Sequence, residues 1–171
     1  MIKENKKWIF LFLLAVIWGS SFILIKKSLI GLSPMQLGSL RIIITGFILF
    51  IAGFNRLKSL KSLSNKSIKW IALSGFLGTF FPAFLFAYAE TEIDSAIASI
   101  LNSIVPINTL LFGFLAFNII STKRQVIGVL IGFIGAIILI SNGAAIHPNQ
   151  NYWYALLVIA ATVMYAFNIN I

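Results

Sequence analysis

The sequence has no cysteine, only one histidine, His147, and only four acidic residues. Without thiols there is no disulfide framework and no thiolate metal site, and a lone imidazole cannot build a zinc site. The sequence also shows no nucleophile–base pair, no carboxylate dyad and no Gly-rich loop that would cradle a phosphate. These absences argue against an enzyme, and no cofactor and no metal are expected.

Charge of either sign is scarce. Charged residues make up 10% of the 171 residues, hydrophobic residues make up 60%, and the mean hydropathy is +1.01. A soluble domain of this size cannot cover so much apolar surface, so lipid is the natural solvent of the chain. The net charge of +9 would suit nucleic acid, but the basic residues sit between apolar runs, as juxtamembrane anchors do. We therefore expect the lipid bilayer, and not nucleic acid, as a partner.

Six stretches reach the roughly 20 mainly apolar residues that a helical span needs. Turn residues such as Gly31 and Pro34 separate them, and aromatic residues such as Trp8 and Trp153 mark their ends. The first apolar run is too long for a signal peptide and has no small-residue cleavage site behind it, so we expect it to be retained. The predicted fold is an all-α, polytopic transmembrane helical bundle, whose spans 1 to 6 cover residues 8–28, 34–54, 68–89, 94–117, 124–142 and 152–171.

The basic residues are divided unevenly between the two sides of this bundle. One side has only Lys26 and Lys27, at the end of span 1, and it also holds the acidic Glu90, Glu92 and Asp94. Because cytoplasmic loops carry the excess of lysine and arginine, we expect a cytoplasmic N-terminus in the cell (inner) membrane, and not a dual-topology homodimer. The ten basic residues of the predicted cytoplasmic side are Lys3, Lys6, Lys7, Arg56, Lys58, Lys61, Lys66, Lys69, Lys123 and Arg124.

Three segments in order resemble a known family. They are WGSSFILIKKSLIGLSPMQLGSLRIIITGFIL from Trp18, SAIASILNSIVP from Ser95, and QVIGVLIGFIGAIILI from Gln125. Together they are similar to the EamA repeat of the drug/metabolite transporter superfamily. No single motif is specific, whereas the ordered series is. One departure is Asn118-Ile119, because many members carry a glutamate after the fourth helix.

The resemblance implies ten spans, built as two inverted five-helix repeats. Residues 1–142 would form one EamA-like repeat, and residues 143–171 would form a loop and the first helix of an incomplete second repeat. The resemblance further implies a carrier, permease or exporter, of small metabolites such as amino acids, which works by alternating access as one half of a ten-span protein. A second half or a homo-oligomer would supply the missing walls. The alternative is a truncated fragment that does not transport, or a membrane assembly subunit.

Polar residues inside the spans are candidates for the wall of a substrate cavity. Arg41 is the one charge well inside a span, where burial costs ~2.5–3.5 kcal/mol and a functional role is the default hypothesis. It would attract an anion or act as a gate; alternatively, it snorkels outward or pairs with the acidic residues on its side of the membrane. Span 4 has a polar stripe around a proline that frees a backbone carbonyl, which serves either as a cavity wall or as a helix-packing surface. The full candidate set is Trp18, Ser20, Ser21, Arg41, Thr79, Pro82, Ser99, Asn102, Ser103 and Pro106.

Two further expectations concern glycine and acid. Gly128, Gly132 and Gly135 lie on one stripe of span 5, where small residues let helix backbones approach, so we expect helix packing or dimerisation there. The acidic residues Glu90, Glu92 and Asp94 are expected in a solvated loop, which leaves no carboxylate inside a span. Because a buried acid is the usual proton relay, the sequence does not support proton coupling.

Overall fold

A computed structural model describes residues 2–54, 63–146 and 150–171. Within these ranges, the side chains of residues 2–5, 140 and 143–146 are not described. Regular structure in these ranges is entirely helical, which confirms the predicted class. The helices are α1 (Ile2–Ser28), α2 (Pro34–Gly53), α3 (Asn65–Gly75), a π-helix (Phe76–Phe80), α4 (Phe81–Glu92), α5 (Ser95–Asn102), α6 (Val105–Phe117), α7 (Lys123–Ile146), a 3-10 turn (Tyr152–Tyr154) and α8 (Ala155–Asn170).

Some residues used in the sequence argument lie outside the described part of the chain. Arg56, Lys58 and Lys61 belong to the loop between spans 2 and 3, and His147 belongs to the loop before span 6. The side chain of Lys3 is also outside it.

The helices match the predicted spans. Five segments of the described chain are long and apolar enough to cross a membrane, namely Lys6–Ser28, Pro34–Gly53, Asn65–Glu92, Ser95–Phe117 and Tyr152–Asn170. The predicted span 5 corresponds to α7, a helix of 24 residues. At 1.5 Å per residue α7 is about 36 Å long, which also suffices to cross the hydrocarbon layer.

Local sequence signals fix where several helices begin and end. Ser33 caps α2 in a capping box, because its hydroxyl accepts from the Gln36 amide at 3.3 Å while its own amide donates to the Gln36 side chain at 2.9 Å. Thr122 and Gln125 repeat this arrangement before α7. Asn118 ends α6 in the left-handed conformation, with φ of 53°. The position at which the family resemblance leads one to expect a glutamate is therefore used here as a helix C-cap.

Spans 3 and 4 are each interrupted next to a proline. In span 4, the amides of Ser103 and Ile104 donate to Ile100 and Leu101, in the tighter 3-10 pattern, before a new helix starts just ahead of Pro106. In span 3, the turn before the proline widens into the π-helix instead. A proline has no amide hydrogen and its ring clashes with the preceding turn, so each helix must change pitch there.

The protein core lies near one end of the bundle. It joins the end of α1 to α4, α5 and the start of α8, and fully buried members include Ala87, Ile93 and Val158. The helix α8 packs against both α4 and α6, and α2 packs on α4. By contrast, most large apolar side chains of α1, α2 and α7 are exposed. Such surfaces are those of a protein that lies in lipid.

Candidate functional site

A cavity of about 160 Å³ lies between spans 2, 3 and 6 and is open on one side. Its walls combine one cation, three hydroxyl groups and a few apolar groups. Two of the candidate residues, Arg41 and Thr79, meet here. The residues that line it are Arg41, Ile42, Thr45, Gly78, Thr79, Ala83 and Tyr165.

Close helix packing places Arg41 in this wall. A Cβ added to Gly38, one turn before Arg41, would lie 2.7 Å from Cε1 and 3.1 Å from Cγ of Phe84. The absence of a side chain at Gly38 therefore lets α2 approach α4, as small residues do between membrane helices. A Cβ added to Gly78 in span 3 would be equally close to the amide group of Asn168 in α8. These two contacts hold spans 2 and 6 close to span 3.

The π-helix brings further lining residues to the same place. Gly78 and Thr79 both belong to its single turn, and Pro82 follows it as a buried residue of α4. An i→i+5 turn rotates the residues after it relative to a regular α-helix, and such turns are frequent at functional sites. Among the candidates in span 3, Thr79 lines the cavity. Pro82 does not line it, but is buried directly before Ala83, which does.

Arg41 is half-buried and has few polar contacts with the protein. Its Nη1 atom donates to the backbone oxygen of Ala83 over 3.5 Å, which is the outer limit of a hydrogen bond. Glu90 and Tyr165 lie within electrostatic range of the guanidinium group. Among the described residues neither carboxylate oxygen of Glu90 has a hydrogen-bond partner, so the interaction of Arg41 with Glu90 is electrostatic without a direct hydrogen bond.

Glu90 corrects an expectation drawn from the sequence. The helix of span 3 continues to Glu92, and Glu90 is 0% exposed instead of lying in a solvated loop. Span 3 therefore contains a buried carboxyl group. Lys26 covers it from span 1, since its Nζ atom donates to the backbone oxygens of Glu90 at 2.7 Å and of Ile93 at 3.0 Å. We call Lys26, Arg41 and Glu90 the charge cluster, because Glu90 interacts electrostatically with both cations.

The span 1 and span 4 candidates do not line the Arg41 cavity. In span 1, Trp18 is 62% exposed, and the Ser20 hydroxyl donates to a carbonyl of its own helix. Ser21, beside them, is partly buried. In span 4, the hydroxyls of Ser99 and Ser103 also donate to carbonyls of their own helix.

Two other span 4 candidates lie at the break in that span. Pro106 is exposed, and Asn102, directly before the break, has a buried side-chain oxygen without a hydrogen-bond partner. As cavity-wall residues, the candidates of spans 1 and 4 stay predictions.

The glycine stripe of span 5 has no neighbour inside the described chain. A Cβ added to Gly128, Gly132 or Gly135 would meet no atom within 4 Å. The smooth face is thus available to a surface outside the described residues, and helix packing there stays a prediction.

Span 6 supplies polar groups that the sequence analysis did not single out. The Ser74 hydroxyl donates to Asn168 at 2.6 Å, and Asn108 donates to Thr162 at 3.0 Å. Asn170 donates to the backbone oxygen of Thr109 at 3.0 Å. Tyr165, which closes the Arg41 cavity, belongs to the same helix. The available signal was the density of polar residues in an otherwise apolar span, since such side chains face protein rather than lipid.

A second depression, of about 410 Å³, lies where spans 3, 4 and 6 end on the other side. Its walls are Ser67, Trp70, Ile71, Phe117, Asn170 and Ile171. It contains no charged group, so the Arg41 cavity is the better candidate for selective binding of a polar solute.

Comparison with known proteins agrees with this architecture. The sequence model of the EamA-like transporter family matches residues 6–141. An uncharacterized transporter of Archaeoglobus fulgidus is 32% identical over 140 residues, which cover 78% of this chain and 47% of that protein. The uncharacterized inner membrane transporter YedA of Escherichia coli is 30% identical over 161 residues, which cover 92% of this chain and 50% of YedA. The chain thus spans about half the length of these relatives. No solved structure matches it.

Proposed function

We propose that this chain, which belongs to the EamA-like transporter family, carries small metabolites such as amino acids across the inner membrane by alternating access. Its family and its membrane-spanning helices make it a multi-pass inner-membrane protein. The transport activity of this chain, its substrate class and the alternating mechanism are our proposal.

The observation that carries the proposal is the Arg41 cavity. A half-buried guanidinium group, three hydroxyl groups and apolar side chains meet between three spans, in a pocket that is open on one side. Polar groups at this depth are costly unless they face protein or water, and they usually mark a solute pathway. A concave pocket that combines apolar walls with a few polar groups suits a small organic solute.

The transport experiment fills this pocket with a bulky side chain and leaves the charge of Arg41 unchanged. Membrane vesicles containing the chain are loaded with labelled amino acids, and efflux is compared with that of vesicles without it. Thr45→Trp places an indole in the pocket and should abolish any efflux that the chain supports. Phe47→Trp, on the same helix and 65% exposed, should leave efflux unchanged. Equal efflux from both variants would overturn the proposed role of the pocket.

We further propose that the chain works as one half of a ten-span carrier, with residues 1–142 as one repeat and 143–171 as the start of the second. The support is that it spans about half the length of its relatives, and that span 6 packs against spans 3 and 4 through hydrogen-bonding side chains. Co-expression with the half of YedA that this chain does not match should then raise efflux above that of the chain alone. If neither the chain alone nor the pair moves solute, the alternative stands, a fragment or assembly subunit without transport activity.

The N-terminus is proposed to be cytoplasmic, from the distribution of basic residues. The chain has no cysteine, so a single introduced thiol reports its own location. Ile30, 88% exposed after span 1, should be reached from outside intact cells as Ile30→Cys by a membrane-impermeant maleimide. Ile120, 89% exposed between spans 4 and 5, should react as Ile120→Cys only after the cells are opened. The reverse pattern would invert the proposed orientation.

A further inference from the structure

Arg41 has donors that the described residues do not use. A guanidinium group presents several N–H donors in a planar fork, and it stays charged in proteins. The structure gives it one long contact, at 3.5 Å, with the backbone oxygen of Ala83. A half-buried cation with so few acceptors is costly, so the remaining donors call for an acceptor that enters the cavity.

The charge cluster is unbalanced. Lys26 and Arg41 contribute two positive charges, and Glu90 contributes one negative charge when it is ionised. Glu90 is completely buried, and its carboxylate oxygens accept no hydrogen bond from either cation. Lys26 uses two of its hydrogen bonds on the backbone at the end of α4. With Glu90 ionised, the cluster therefore carries a net charge of +1, and Arg41 is the member of it that lies at the cavity wall.

The cavity also has the size and chemistry for a small carboxylate. A carboxylate accepts two parallel hydrogen bonds from an arginine fork, which is a strong and geometrically specific pairing. The Tyr165 and Thr45 hydroxyls are further donors in the same wall, and Ile42 and Ala83 offer apolar contact to a short carbon chain. The volume of about 160 Å³ is small, so the cavity suits a short carbon chain better than a long one.

We propose that the Arg41 cavity binds the carboxylate group of a small monoanionic organic acid, with Arg41 as the anchor and Tyr165 and Thr45 as supporting donors. Among the described residues that line the cavity none is acidic, so the ammonium group of an amino acid has no carboxylate to contact in its wall. A monocarboxylate therefore binds better than the zwitterion of the same size. This inference rests on the proposed function and specifies its solute.

The test is a ligand-induced shift in melting temperature of the full chain, purified in a neutral detergent so that no lipid phosphate competes for Arg41. The probes are propionate, the uncharged isostere propionamide and the zwitterion alanine, each at millimolar concentrations and constant ionic strength. Propionate should stabilise the chain by mass action, alanine should do so less, and propionamide should not. No stabilisation by propionate, or an equal effect of propionamide, would overturn the inference.

Variants assign the effect to Arg41. Arg41→Gln should weaken propionate binding by about 10- to 150-fold, as expected when a charged hydrogen-bond donor is lost. Arg124→Gln removes the same charge at the start of α7, far along the chain, and should bind normally. If Arg41→Gln does not fold, Tyr165→Phe should still weaken binding several-fold. Unchanged binding in the variants that fold would contradict the assignment.

Binding and transport can fail separately. Binding of propionate without any efflux of solute would leave the carboxylate site standing and remove the carrier proposal for this chain. Efflux of amino acids without propionate binding would leave the carrier proposal standing and remove the carboxylate site.

Discussion

The most informative structural perturbation is a single methyl group at Gly38. In the structure, a Cβ at this position meets the ring of Phe84, with 2.7 Å to Cε1 and 3.1 Å to Cγ. The Phe84 ring also packs edge-to-face against the ring of Phe80, with 5.3 Å between the two centroids. Gly38→Ala must therefore push α2 away from α4 or force the ring off its rotamer.

The magnitude can be isolated with a matched glycine on the same helix. Gly46 has no atom within 4 Å of an added Cβ, so Gly46→Ala should only gain the ~0.5–1 kcal/mol of improved helix propensity. Gly38→Ala gains the same amount but also incurs overpacking of about 1–3 kcal/mol. The propensity gain cancels in the comparison, so Gly38→Ala should be less stable than Gly46→Ala by about 1–3 kcal/mol.

The assay is thermal unfolding of both variants in the same detergent. For a chain of this size, 1 kcal/mol corresponds to about 2–4 °C, so the two melting temperatures should differ by about 2–12 °C. Gly38→Ala should also weaken propionate binding, because Arg41 lies one turn away on the displaced helix. Identical melting temperatures would show that α2 and α4 do not approach closely at Gly38, and the position assigned to Arg41 would be wrong.

Two further pairs test the polar contacts between spans. Lys26→Met removes two hydrogen bonds to the end of α4 and should destabilise the chain by about 1.5–3 kcal/mol, whereas the exposed neighbour change Lys27→Met should have little effect on its melting temperature. Equal melting temperatures for these two variants would contradict the two hydrogen bonds assigned to Lys26. Ser74→Ala removes the hydrogen bond to span 6 and should cost about 0.6 kcal/mol, up to ~1.7 kcal/mol. Ser141→Ala, whose hydroxyl contacts only its own helix, is the control, and a larger loss there than at Ser74 would refute the assigned contact.

The positions of the spans could be predicted from the sequence because they depend on local properties. Apolar length and turn residues placed span 2 at 34–54, and the helix runs from Pro34 to Gly53. The same signals placed span 3 at 68–89, whereas the helical segment covers Asn65–Glu92. The prediction stopped too early because acidic residues near a span end resemble a loop. Burial of Glu90 depends on neighbouring helices, which a single-span argument does not include.

The irregular helices could be predicted only in part. A proline in span 4 indicated a freed carbonyl, and the helix does break directly before Pro106. The sequence did not distinguish that break from the π-helix before Pro82, although both arise from a missing amide hydrogen. Whether the turn tightens or widens depends on the packing of the neighbouring spans, and the turn in span 3 faces Asn168 of span 6.

The site itself required the tertiary arrangement. Arg41 was identifiable because a charge inside an apolar span is rare. Tyr165 was not, because nothing local shows that span 6 lies across the cavity from span 2. The hydroxyls of Ser20 and Ser103 illustrate the converse, since polar side chains in membrane helices can satisfy their own backbone. Composition alone does not distinguish a hydroxyl group that lines a cavity from one that donates to its own helix.

The most direct test of the whole account is whether the Arg41 cavity holds water inside the membrane. In membranes containing the otherwise cysteine-free chain, Thr45→Cys and Phe47→Cys are treated with a small charged thiosulfonate, which needs a hydrated, ionisable thiol. Thr45 lines the cavity, whereas Phe47, on the same helix, does not. The account predicts rapid labelling of Thr45→Cys, slowed by propionate, and no labelling of Phe47→Cys. Labelling of Phe47→Cys alone, or of neither thiol, would contradict it.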